Sequence, residues 1–163
     1  MKNPLEHIPV ELLEEHLQLS QRLVELGERE EKQNDFLTFV KSQWPDFVEG
    51  EHHRIMAKAF DRIANGELKR LIINMPPRHT KSEFASYLFP AYLVGRNPGL
   101  KIIQATHTAD LAVRFGRKIR DLITTSEYTN TFPSVELNPD SKAAGRWEVR
   151  TTDGKMNGEY FAA

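Results

Sequence analysis

The residues Met75-Pro76-Pro77-Arg78-His79-Thr80-Lys81-Ser82, "MPPRHTKS", stand between the apolar run "LIIN" (71–74) and "EFASYLFPAYLV" (83–94), whose pattern predicts a helix. A strand, a short turn and a helix opening on Lys-Ser form a setting in which free N–H groups and the helix dipole favour an anion. Measured against the phosphate-loop pattern G-x-x-x-x-G-K-[ST], Lys81 and Ser82 fit, but Met75 and Thr80 occupy the glycine positions. Glycine serves where φ is positive or where the backbone must approach a phosphate closely. Thr80 is therefore the strongest local objection, because a β-branched residue tolerates positive φ poorly. Pro76 and Pro77 stiffen the entry, and Arg78 brings a guanidinium suited to phosphate. Taken alone, the octapeptide is as consistent with a Pro-rich turn as with a nucleotide site. The strand before it and the helix after it favour the site.

Outward from the loop the pattern alternates. "LKRLIINM" (68–75) reads as a buried strand, residues 81–94 as a helix closed by "GRNPG", "KIIQAT" (101–106) as a strand, and 109–123 as a helix. This order predicts an α/β chain with a parallel sheet and helices on its faces. "TNTFPSVELNPDSKAAG" (129–145) is rich in Pro, Asn and Ser and reads as a loop. "RWEVRT" (146–151) and "GEYFAA" (158–163) read as strands of a hairpin around "TDGKMN", with Trp147 and Phe161 packed on the sheet. Two parallel strands and a hairpin are few, so the sheet reads as incomplete.

Upstream lies a helical segment. Leu12, Leu13, Leu17, Leu19, Leu23, Val24 and Leu26 recur at helical spacing, predicting an amphipathic helix with a break near Gly27. A second helix over 35–43 stops at Trp44-Pro45, because the residue before proline avoids the helical conformation. A third, 51–65, carries Ile55, Met56, Ala59, Phe60 and Ile63 on one face and ends at Gly66. The division is a helical lead-in over 1–66 and an α/β core over 67–163.

A chain of 163 residues is the size of one domain, and its formal net charge of −1 supplies no global field for nucleic acid. The absence of cysteine excludes disulfides and cysteine-ligated zinc. No apolar run approaches the ~20 residues of a membrane span, and the acidic start "MKNPLEHIPVELLEEH" lacks a signal-peptide core. A cytoplasmic location without membrane partners is the expectation.

The stretch "LKRLIINMPPRHTKS", with "QATHTADLAVRFGRKIRDLI" (104–123) after it, resembles the N-terminal ATPase region of the large terminase subunit of tailed bacteriophages. The phosphate loop of that family often has the deviant form P-P-R-[HG]-[GTS]-K-[ST], which Pro76 to Ser82 match one by one. The resemblance covers most of the chain after about Asp35.

The resemblance implies a P-loop NTPase of the RecA-like, additional-strand type, a motor that couples ATP hydrolysis to packaging of double-stranded viral DNA into proheads in the host cytoplasm. Implied partners are the portal protein, the small terminase subunit and further copies of the chain. By the same carry-over Lys81 holds the β and γ phosphates of ATP, Ser82 ligates Mg²⁺, and Pro77, Arg78, His79 and Thr80 complete the loop. Arg78 and Lys81 stabilise the transferred phosphoryl. Gln43, with Trp44 and His53, is a candidate for the adenine pocket. Arg114, Arg117, Lys118 and Arg120 either couple ATP state to DNA or form a solvated face balanced by Asp110 and Asp121. The family's acidic motif, an apolar strand ending in Asp-Asp or Asp-Glu, and its nuclease domain have no counterpart in these residues. Binding without turnover, by a nucleotide-binding or partner-docking module, is the alternative. His52, His53, His79 and His107 suggest a metal only weakly, because adjacent histidines on a helix point apart.

Overall fold

The structure, a computed structural model, describes residues 9–163. Residues 1–8, the beginning of the acidic N-terminal stretch, lie outside the described residues. Helix α1 (Val10–Asn34) is unbroken, since one interior glycine costs a helix only about 1 kcal/mol. Its Leu12, Leu17, Leu23 and Val24 are exposed, and its last turn is tied down by Gln33, which donates to the Thr131 carbonyl at 2.6 Å. Helix α2 (Phe36–Gln43) starts at Asp35, whose carboxylate accepts the Thr38 N–H at 2.6 Å as an N-cap, and stops at Trp44 as expected. Helix α3 (Glu51–Ala64) supplies Asp61, which accepts the Phe36 N–H at 2.9 Å and so joins the two helices. Burial holds the Asp61 carboxyl above the usual carboxylate range, opposed by that N–H.

The helix after the loop is a continuous rod in three pieces: α4 (Lys81–Glu83), a π-turn (Phe84–Leu88) and α5 (Phe89–Arg96). Pro90 accounts for the widened turn. It has no N–H to offer the Ser86 carbonyl four residues back, so the ladder slips to i+5, with the Phe89 N–H on the Phe84 carbonyl. This rod packs on α2 and α3 around Phe36. Phe36, fully buried, packs edge-on against Phe60 of α3 at 5.2 Å, Phe84 at 5.6 Å, Phe89 at 5.6 Å and Tyr92 at 5.3 Å. One core cluster therefore joins α2 and α3 to the helices and the sheet after the loop.

Strands β1 (Lys101–Gln104), β2 (Val135–Ala143), β3 (Arg146–Thr151) and β4 (Asn157–Ala162) form a sheet in the order β1-β4-β3-β2. Only β1 and β4 are parallel, so the sheet is mixed instead of parallel. One face is buried: Trp147, Val149 and Tyr160 point to helix α6 (Ala109–Leu122), and the Trp147 and Tyr160 rings stack at 4.7 Å. Gly116 lets α6 come close, since a Cβ there would meet the Ala144 carbonyl oxygen at 2.6 Å. Trp147 donates its indole N–H to the Gly116 carbonyl at 3.0 Å. On the other face Phe161 and its β1 neighbour Ile103 are exposed, so Phe161 does not pack as expected.

Two element assignments are also corrected. The run 68–75 is not a strand: no ladder pairs it among the described residues, Ile72 is 86% exposed, and only Ile73 and Met75 reach the core. A strand is defined by its partner, and an apolar run without one forms no ladder. The expected loop 129–145 instead contains the end of helix α7 (Ser126–Thr131) and β2. Pro139 is accommodated because β2 is an edge strand whose register shifts between Leu137 and Lys142.

Phe36→Ala is expected to cost about 3–5 kcal/mol in urea unfolding, since it removes a ring with five aromatic neighbours. A loss below about 1 kcal/mol would mean that the two segments do not share a core.

Candidate functional site

The loop turns twice through the left-handed region. Arg78 has φ 66° and Thr80 has φ 56°, ψ 8°, and α4 begins at the next residue. Thr80, in the place of the second glycine, thus adopts the conformation that glycine would adopt freely. For a β-branched residue this costs on the order of 1–2 kcal/mol.

Hydrogen bonds on the Thr80 side chain offset that cost. The Gly50 N–H donates to His53 Nδ1 at 2.9 Å, which makes Nδ1 an acceptor and leaves the proton on Nε2. Nε2 lies 2.6 Å from Thr80 Oγ1 and donates to it. Thr80 Oγ1 in turn donates to the His79 carbonyl at 2.7 Å. The bonds run one way, from Gly50 through His53 and Thr80 to His79, and each contributes about 1 kcal/mol. Beside this relay, His79 Nδ1 donates to the Pro77 carbonyl at 2.9 Å, and Lys81 Nζ reaches back to the Met75 carbonyl at 3.2 Å. Arg78, His79 and Ser82 are exposed, whereas Thr80 and Lys81 are half-buried.

His53 is only 5% exposed. Its ring stacks on Phe84 at 4.9 Å and meets the edge of Phe47 at 4.7 Å. His53 does not line the cavity of about 440 Å³ that Gln43 and Trp44 line together with Glu83, Tyr87, Leu88 and Lys118. Three of its walls, Glu83, Tyr87 and Leu88, stand on the rod that Lys81 opens. Gln43 Nε2 donates to Ser42 at 3.0 Å, but Gln43 Oε1 is buried without a donor. Lys118 pairs with Glu83 and lies 4.1 Å over the Tyr87 ring.

The basic residues of α6 divide. Arg120 pairs with Asp121 at 2.8 Å and donates to the Lys142 carbonyl at 2.7 Å, while Arg114 and Arg117 line an open cavity with Phe115 and Asp121. His52 and His53 do not point apart, since their rings lie 3.8 Å from each other and His79 is 5.8 Å from His52. Among the described residues no three His, Cys, Asp or Glu side chains gather as metal ligands, and no helix is long and apolar enough to cross a membrane. Sequence reading missed the tie from His53 to Thr80 and the parts of Glu83, Tyr87 and Lys118. The one available signal was a threonine in a glycine position, which needs a partner to hold it.

No protein-family model, curated protein or solved structure matches the chain.

Burial lowers the His53 pKa from the ordinary 6.5, the charge of His52 adds to this, and Glu49 opposes it. The unfolded chain then binds more protons than the folded one below that value, so the contribution of His53 is present above 6.5 and is lost as the pH falls toward the lowered value. Melting temperature is expected to drop between about pH 7 and about pH 5, and His53→Gln, which cannot titrate, to flatten that part of the profile. An unchanged profile in the variant would assign the drop to other groups.

Proposed function

We propose that the chain is the N-terminal ATPase part of a large terminase subunit of the tailed-phage kind, a P-loop NTPase whose motor drives double-stranded DNA into proheads. The observation that carries the reading is the left-handed backbone at Thr80 directly before Lys81. It removes the objection to a threonine in the second glycine position and makes the match from Pro76 to Ser82 meaningful.

The residues fit ATP and Mg²⁺ in three ways. Lys81 is an ammonium bound to one neutral carbonyl, which a phosphate oxygen can replace. The Ser82 hydroxyl, exposed on the first turn of the rod, suits Mg²⁺. Gln43 Oε1 is an acceptor without a donor beside an aromatic-walled cavity, and the exocyclic amine of adenine is a donor. Bound Mg²⁺ would neutralise charge on the phosphates. The chain's own part is to hold the loop, place Lys81 and Arg78 against developing charge, and orient the base through Gln43 and Trp44. Double-stranded DNA, the portal protein, the small subunit and further copies of the chain remain the partners that this reading implies.

Binding without turnover is favoured by a separate observation. Glu83 pairs with Lys118, Glu136 with Arg150 at 2.7 Å and Glu159 with Arg146 at 2.7 Å, while Glu148 accepts from Asn138 at 3.0 Å. Each of these carboxylates already has a partner other than an attacking water.

Calorimetry with Mg·ATP and a phosphate-release assay with and without DNA separate the readings. Wild type is expected to bind and Lys81→Ala to bind at least about tenfold more weakly. Turnover lost in the variant supports the motor, and binding without turnover in either protein supports the module. Wild-type chain that binds no nucleotide overturns both.

A further inference from the structure

We propose that His53, 27 residues before Thr80 and on helix α3, is the positioning residue of the loop. Through its Nε2–H it holds the Thr80 hydroxyl, and thereby keeps Thr80 in the left-handed conformation from which Lys81 and Ser82 start their helix. This rests on the reading of the loop as a nucleotide site.

Five observations carry it. The Thr80 backbone, φ 56° and ψ 8°, is one that a β-branched residue does not keep unaided. His53 is the side chain from outside the loop that touches the Thr80 hydroxyl, at 2.6 Å. The ring has no freedom to turn, because it is clasped between Phe47 and Phe84. Its proton has one place, because the Gly50 N–H occupies Nδ1. Both ring nitrogens are thus committed, which leaves none for a base or a metal. Thr80 is matched to this from its own side: its hydroxyl proton goes to the His79 carbonyl, so its oxygen is free to accept from His53.

The device replaces what glycine provides in an ordinary phosphate loop. Glycine reaches positive φ at no steric cost, whereas threonine requires an external hold. The loop's shape then depends on α3, and on the Gly50 turn that orients His53. A residue that only fills space between Phe47 and Phe84 would not impose that dependence.

The test is a cycle of His53→Phe, which fills the space without donating, and Thr80→Gly, which needs no hold, with His53→Gln as the variant that keeps a donor. Affinity for a non-hydrolysable Mg·ATP analogue is measured by calorimetry, and stability by urea unfolding. His53→Phe is expected to weaken binding about tenfold, His53→Gln to restore most of it, and His53→Phe to cost less than about threefold in the Thr80→Gly background. Equal losses in both backgrounds, or no loss in His53→Phe, would overturn the proposal. The tautomer is read by ¹⁵N NMR of the imidazole, where a proton on Nδ1 at neutral pH would also overturn it. Wild-type chain that binds no analogue overturns the nucleotide reading, and the unfolding cycle then decides whether His53 holds the loop: equal costs of His53→Phe in the Thr80 and Thr80→Gly backgrounds would overturn the hold itself.

Discussion

The packing of Phe36 is the contact on which the rest of the molecule depends. Its ring touches one aromatic side chain of α3 and three of the rod after the loop. Around it Phe60 stacks on Phe89 at 4.2 Å and Phe39 packs on Tyr92 at 5.3 Å, so the ring sits at the centre of the seam between α2, α3 and the rod. The contact is reinforced at its edges. The Asp61 carboxylate that receives the Phe36 N–H is also 3.5 Å from the Tyr92 hydroxyl, so both ends of the aromatic cluster are tied to α3. The Tyr128 hydroxyl, donating to the Ala91 carbonyl at 2.9 Å, extends the same core to α7.

That core makes the left-handed turn at Thr80 tolerable. His53 can hold Thr80 only because α3 is fixed relative to the rod, and α3 is fixed through Phe60 and Asp61 against Phe36. A strained backbone conformation persists where the surroundings over-determine it. Here the surroundings are aromatic packing on one side of His53 and a backbone N–H on the other. The polar tie and the apolar core are one device.

What the sequence made legible follows the reach of each signal. Helices α2, α3 and α6 were readable from local spacing, with Asp35, the Trp44-Pro45 pair and Gly66 marking ends, because a helix satisfies its own backbone. The β3–β4 hairpin was readable for a similar reason, its partner being adjacent in sequence. Runs whose partners are distant or missing were misread. "LKRLIINM" has the composition of a buried strand and no ladder, whereas "VELNPDSKA" has the composition of a loop and pairs with β3 across a register shift. The loop's placement was legible at the level of Lys81 and Ser82. Its support from His53 was not, because neither composition nor periodicity links positions 27 apart in sequence.

The resting position of Lys81 bears on how the proposed site would work. Its ammonium donates to the Met75 carbonyl at the entry of the loop, at 3.2 Å, across the turn that it would close over a phosphate. Pro76 and Pro77 follow Met75 and restrict the backbone there, so that carbonyl is held in place. A bond to a neutral carbonyl is worth about 0.5–1.5 kcal/mol, whereas a bond between two charged groups is about twice as strong. In the proposed site a phosphate entering the loop would take the lysine in exchange for a weaker partner, and the loop would not need to reorganise to release it. Both ends of the turn are fixed beforehand, by the prolines at Met75 and by His53 at Thr80. What remains free to move is the lysine side chain, so the cost of binding falls on one flexible chain instead of on the backbone.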